Sequence, residues 1–152
     1  MIKSGFVAVL LLGSVAVANA ATQCYQSAEI EADQAVRFQA KLMVLSDSCN
    51  STSYNQFTAH NSDVLSSYQK ELIGYYRRSD SKRAETVFDQ FITRLANQMA
   101  LSVGQQPLAS VCGDSAAFLA MGGTVSKVDF RKYVAEQAVA QRQTYPSCKA
   151  GG

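Results

Sequence analysis

Apolar residues recur along this chain at steps of three, four and seven. Sustained two-residue alternation is missing, so the pattern predicts helices and no sheet. Over residues 27–48, Ala28, Ala35, Phe38, Leu42 and Leu45, continued by Cys49, share one helical face. Ser27 is expected to cap this helix, with Glu29, Glu31 and Asp33 as surface charges suited to its positive end. Asn50-Ser51-Thr52-Ser53 breaks the pattern, and Ser53-Tyr54-Asn55-Gln56 has the form of a capping box.

The second helix places Phe57, Val64, Leu65, Tyr68, Leu72, Tyr75 and Tyr76 on a broad face and ends near Arg77-Arg78. Cations suit that negative end. After the Ser79-Asp80-Ser81 turn comes the widest stripe, Ala84, Val87, Phe88, Phe91, Ile92, Leu95, Met99 and Val103, stopped by Gly104. Pro107 opens a fourth helix with Leu108, Val111, Cys112, Phe118 and Leu119 inward, ended by Gly122-Gly123. Thr124 or Ser126 starts a fifth, with Phe130, Tyr133, Val134 and Ala138 inward and Pro146 at its end. The connections are short, so sequential helices should be antiparallel neighbours. The expected fold is all-α, an up-and-down bundle of four to five helices.

The N-terminus reads differently. Lys3 precedes an apolar run, Phe6 to Val17, and Ala18-Asn19-Ala20 supplies the small residues of a cleavage site. Residues 1–20 are predicted to be a secretory signal cut between Ala20 and Ala21, with residues 21–152 forming one helical domain. The run is shorter than the ~20 residues a bilayer span needs. Export to the periplasm or medium puts the remaining chain in an oxidising compartment, without a membrane span.

Cys24, Cys49, Cys112 and Cys148 then read as two disulfides. No pair has C-x-x-C spacing and there is a single histidine, so neither a metal site nor haem attachment is expected. In an up-and-down bundle Cys49, at the end of the first helix, neighbours Cys112, near the start of the fourth. That leaves Cys24 for Cys148. A full-length fifth helix would carry Cys148 to the wrong end, so this second bond requires that helix to cross obliquely or end early.

The net charge of +2 is too small for a nucleic-acid surface. The apolar fraction of 47% is too high for disorder. Leu42-Met43-Val44, Cys49 and Tyr54-Asn55-Gln56-Phe57 form one recognisable stretch. Tyr75-Tyr76-Arg77-Arg78, the run Phe88 to Asn97, and Cys112 form another. Over roughly residues 40–115 these resemble a group of exported helical proteins of alphaproteobacteria to which no activity is attached. The resemblance implies a periplasmic helical domain and transfers no functional residue.

Candidate chemistry is sparse. His60, with Asp63 and Asp47 as conceivable partners, lacks a nucleophile-elbow sequence and reads as an ordinary polar residue. Asn61 and Asn97 lie near apolar stripes and are expected to pair and set helix register, the alternative being that they line a ligand pocket. Met43, Met99 and Met121 are widely spaced and fit core packing better than copper. Asn50-Ser51-Thr52 matches a glycosylation sequon, of consequence only in a eukaryotic host. Tyr68, Tyr75, Tyr76, Arg77 and Arg78 form the least ordinary cluster, a candidate partner patch in which rings and guanidinium groups give contact area with polar tips. The competing expectation is that the tyrosines complete the core and the arginines cap the helix.

The expected function is that of a small non-enzymatic exported protein, without cofactor, working through protein–protein contact or as an envelope accessory factor. An inhibitor or immunity protein against an envelope enzyme or toxin is one alternative. A small apolar-ligand carrier, with a cavity of several hundred Å³ between helices, is another.

Overall fold

Burial on the first helix, α1 (Ser27–Ser48), is not confined to one stripe. Ile30, Ala32, Ala35, Val36, Phe38, Ala40, Leu42, Val44 and Leu45 are all buried. An all-round apolar helix belongs in the middle of a bundle, and α1 packs against each of α2 (Ser53–Arg77), α3 (Ala84–Gly104), α4 (Leu108–Thr124) and α5 (Lys127–Gln141). The computed structural model describes residues 23–146 and Cys148. The predicted signal sequence and its cleavage site lie outside the described residues. Within them the fold is an all-α bundle of five helices, closed by two disulfides.

The turn between α1 and α2 works because Asn50 adopts a left-handed conformation (φ 51°), which asparagine tolerates just past a helix end. Ser51 N–H then donates to Ser46 O at 2.8 Å. The expected Ser53–Gln56 capping box does not form. Thr52 occupies the cap position, and Tyr54 N–H donates to Ser46 Oγ instead. At the other end Gln26, not Ser27, caps α1, and Glu29 Oε2 accepts from its N–H at 2.8 Å.

Phe38 holds the centre of the core. Its ring lies 5.1 Å from Phe57, 5.1 Å from Phe118, 5.2 Å from Phe130 and 5.3 Å from Tyr133. These rings come from α1, α2, α4 and α5, so one cluster ties four helices together. Complete burial of a phenylalanine such as Phe57 or Phe130 contributes about 2–3 kcal/mol. The wide stripe of α3 behaves differently. Ala84, Phe88 and Leu95 are buried, but Val87, Phe91, Ile92, Met99 and Val103 are only half covered, and Leu101 is 67% exposed.

The path of α4 sets which ends of the bundle meet. Cys112, near its start, is bonded to Cys49, with the Cα atoms 5.6 Å apart. Gly122 and Gly123, near its end, press on Leu42 and on Ser53 and Gln56, again close to the α1–α2 turn. Thus α4 crosses the Cys49 end of the α1–α2 hairpin without running its length. The two glycines do not end α4, which continues to Thr124. Gly122 is inside its last turn because buried Leu42 leaves no room for a Cβ there; at Gly123 a Cβ would clash only with the movable end of exposed Gln56.

Because α4 stays at that end, α5 starts there and descends along α1. Ser126 caps it, accepting from Asp129 N–H at 3.1 Å. It finishes at Gln141, five residues before Pro146, in a single 3-10 turn, Arg142–Thr144. The chain then reaches Cys24, with Cys24 and Cys148 Cα atoms 4.8 Å apart. Both expected pairings are present, and α5 ends early, as the Cys24–Cys148 bond requires.

Candidate functional site

The residues of the candidate partner patch are not displayed together. Tyr68 and Tyr75 are each 8% exposed and belong to the core. Tyr75 stacks on Tyr25 with ring centres 4.0 Å apart, and Tyr76 is half-buried beside it. Arg78 donates through both terminal nitrogens to buried Glu29, and through Nη2 to Cys24 O at 3.0 Å. Arg77 is exposed and makes none of these contacts, while Arg78 stays partly in solvent as it pairs with Glu29. The helical stripe was read correctly; its arginines and tyrosines point in different directions because α2 presents them from successive positions of the wheel.

What these residues build is a clasp over both ends of the described chain. Tyr25 N–H donates to Pro146 O at 2.8 Å, and Cys148 N–H donates to Tyr25 O at 3.1 Å, beside the Cys24–Cys148 bond. Glu29 and Asp33, expected at the surface, are 2% and 1% exposed. They are tolerated because each has a cation and hydrogen bonds. Burial raises the pKa of Glu29, but the hydrogen bonds from Arg78 and Gln26 outweigh it and hold the carboxyl below its ordinary range. Asp33 Oδ2 accepts from Arg37 Nε at 2.5 Å and from the Tyr145 hydroxyl, to which Gln34 Nε2 also donates at 2.7 Å. Burial, then the hydrogen bond and charge of Asp33, push the Tyr145 hydroxyl up to about 12, against the pull of Arg37. The phenol therefore stays protonated and serves as a donor.

Above the clasp a groove follows α1. Gln34, Arg37 and Lys41 form its floor, Met99 of α3 one wall, and Phe118, Tyr133 and Gln137 of α4 and α5 the other, around about 140 Å³. It opens into about 380 Å³ beside Gln141 and Tyr145, sharing Gln34 and Arg37. In the other direction it joins about 230 Å³ flanked by Val103, Val111 and Asp114, sharing Lys41 and Met99. Lys41 Nζ lies 4.5 Å from the centre of the Phe118 ring, and the Arg37 guanidinium carbon 5.6 Å from that of Phe91. The sequence carried a signal for this floor: Gln34, Arg37 and Lys41 recur at helical spacing along one side of α1. Reading only its strongest face missed them.

The remaining candidates are dispersed. His60 is exposed, and Asp63 Oδ2 accepts from Lys127 Nζ at 2.9 Å. Asp47 lines a separate depression of about 470 Å³ at the Cys49 end, with Ser46, Ser51 and Tyr54. Asn97 is exposed, so the expected amide pair is not formed. Fully buried Asn61 instead donates to Phe57 O at 3.3 Å and Val125 O at 3.2 Å, fastening the α4–α5 connection to α2, while its Oδ1 has no protein partner. Met43, Met99 and Met121 are half-buried, and the last two pack against the core. Among the described residues no group of three or more His, Cys, Asp or Glu side chains is placed to hold a metal, and no helix is long and apolar enough to cross a membrane. No protein-family model, curated protein or solved structure matches this chain.

Proposed function

We propose that this is an exported, non-enzymatic binding protein that works in the periplasm or medium through protein–protein contact. The observation that carries the reading is a surface groove floored by Arg37 and Lys41 and walled by part-exposed apolar residues, Met99 and Phe118, with Val103 in the adjoining depression. A rigid frame with an uneven, partly apolar and partly cationic face suits a partner surface. Glu29, Asp33 and Asp63 are engaged with Arg78, Arg37 and Lys127, which supports a structural rather than a catalytic use of these carboxylates. The partner surface is therefore moved from the Tyr/Arg cluster of α2 to the groove side of α1 and α3.

The ligand-carrier alternative has less behind it. The phenylalanines that would line an apolar cavity pack on one another around Phe38, and the grooves lie at the surface.

Site-specific photo-cross-linking in the native envelope tests the reading. A benzophenone side chain placed at Gln137, on the groove wall, is expected to trap a discrete protein that the same group at Lys70, on exposed α2 surface, does not. The same set of adducts from both positions, or none from Gln137, would overturn the proposal. N-terminal sequencing of the exported protein is expected to begin at Ala21.

A further inference from the structure

The groove floor carries two cations from positions about one turn apart on α1. Arg37 and Lys41 are four residues apart on α1, a rise of about 6 Å. Alternate residues of an extended chain are about 6.7 Å apart. The two spacings match closely enough for successive same-side carboxylates of an extended segment to meet the two cations in turn.

The charges there are available in different degrees. Arg37 commits Nε to Asp33, which lies buried beneath it, and its side chain remains 41% exposed. Lys41 is exposed, has no ion-pair partner among the described residues, and rests on the Phe118 ring. Val103, Val111 and Asp114 line the adjoining depression that shares Lys41. The two cations of the floor thus lie beside apolar wall residues and one acidic residue.

We propose that this groove binds an extended segment of a partner protein that carries two acidic side chains at alternate positions, followed by an apolar one. The acidic side chains meet Arg37 and Lys41, and the apolar one lies between Val103 and Val111. This inference rests on the protein-contact reading and names the partner's chemistry.

The probe is a fluorescein-labelled Ser-Glu-Ser-Glu-Ser-Leu-Ser peptide, titrated into the disulfide-bonded protein and followed by anisotropy. Saturable binding is expected. Lys41→Glu should weaken it about tenfold by exchanging attraction for repulsion, with an unchanged melting temperature because Lys41 is exposed. A peptide with lysine in place of both glutamates should not bind. Amide chemical shifts should move at Arg37, Lys41 and Val103. Equal binding of both peptides, indifference to Lys41→Glu, or no saturation by millimolar peptide would overturn the inference. So would phenylacetate binding as tightly as the peptide, which assigns the groove to a free carboxylic acid. Self-association abolished by Lys41→Glu would likewise overturn it in favour of a second copy. Failure of the peptide with a discrete cross-link at Gln137 rejects this segment chemistry only; absence of that cross-link rejects the binding role itself.

Discussion

Glu29 and Asn61 show what a single buried polar residue can demand. Glu29 is 2% exposed and is held ionised by Arg78 and the Gln26 N–H. Its folded pKa lies below the unfolded one, so the stabilisation is complete above an unfolded glutamate's value, about 4.3, and is lost as pH falls through the folded value. Urea midpoints measured from pH 6 to pH 3 should therefore drop for the native chain and drop less for Arg78→Ala. At pH 7 that substitution is expected to cost about 2 kcal/mol, reduced from the cost of breaking a fully buried pair because Arg78 is 40% exposed. Asn61 makes the opposite demand. Its amide faces two carbonyl oxygens, so a carboxylate there would meet acceptors only. Asn61→Asp should lower stability at pH 7 by about 3 kcal/mol or more, read from the denaturation midpoint.

At the level of elements, α4 is the segment whose path the rest of the fold depends on. Its crossing angle is permitted by Gly122, a residue without a side chain. A Cβ on Gly122 would come within 2.5 Å of Leu42 Cδ1, and Leu42 is itself fully buried and has no room to move. Gly122→Ala is expected to destabilise by about 1–3 kcal/mol through overpacking. Gly113, in the same helix, has nothing within 4 Å of a built Cβ and no positive φ. Gly113→Ala should stabilise by about 0.5–1 kcal/mol. Thermal melts of the two variants should move in opposite directions. Equal shifts would remove close packing as the reason for the glycine at Gly122.

For the whole molecule, the disulfides act at different ends and close nested loops. Cys49–Cys112 spans 63 residues and pins α4 across the hairpin; Cys24–Cys148 spans 124 and fastens the clasp. In the chain-entropy relation these correspond to about 4 and about 5 kcal/mol taken separately. Their effects should not add, because one loop contains the other. The Cys24→Ser/Cys148→Ser variant is expected to lose hydrogen-exchange protection around Tyr25 and Cys148 first and to retain it in α4. The Cys49→Ser/Cys112→Ser variant should show the reverse order.

Helix positions and the all-α class were determined by residue order alone, whereas the cysteine partners needed an assumed topology, and the Cys24–Cys148 bond was settled only by where the fifth helix ends. Periodicity and capping are local, so Phe57, Leu72 and Phe130 could be assigned inward without a structure. Tertiary structure decided what one-dimensional pattern does not contain: how many neighbours each helix has, and at what angle they cross. A face read as the only buried one on α1 became one of several once four helices surrounded it, which drew Glu29 and Asp33 inside and left Gln34, Arg37 and Lys41 as a groove floor. The oblique course of α4 likewise depended on contacts between Gly122 and Leu42, 80 residues apart in sequence. Local spacing sets which side chains share a face; only the packing of several faces at once sets which of them meet water.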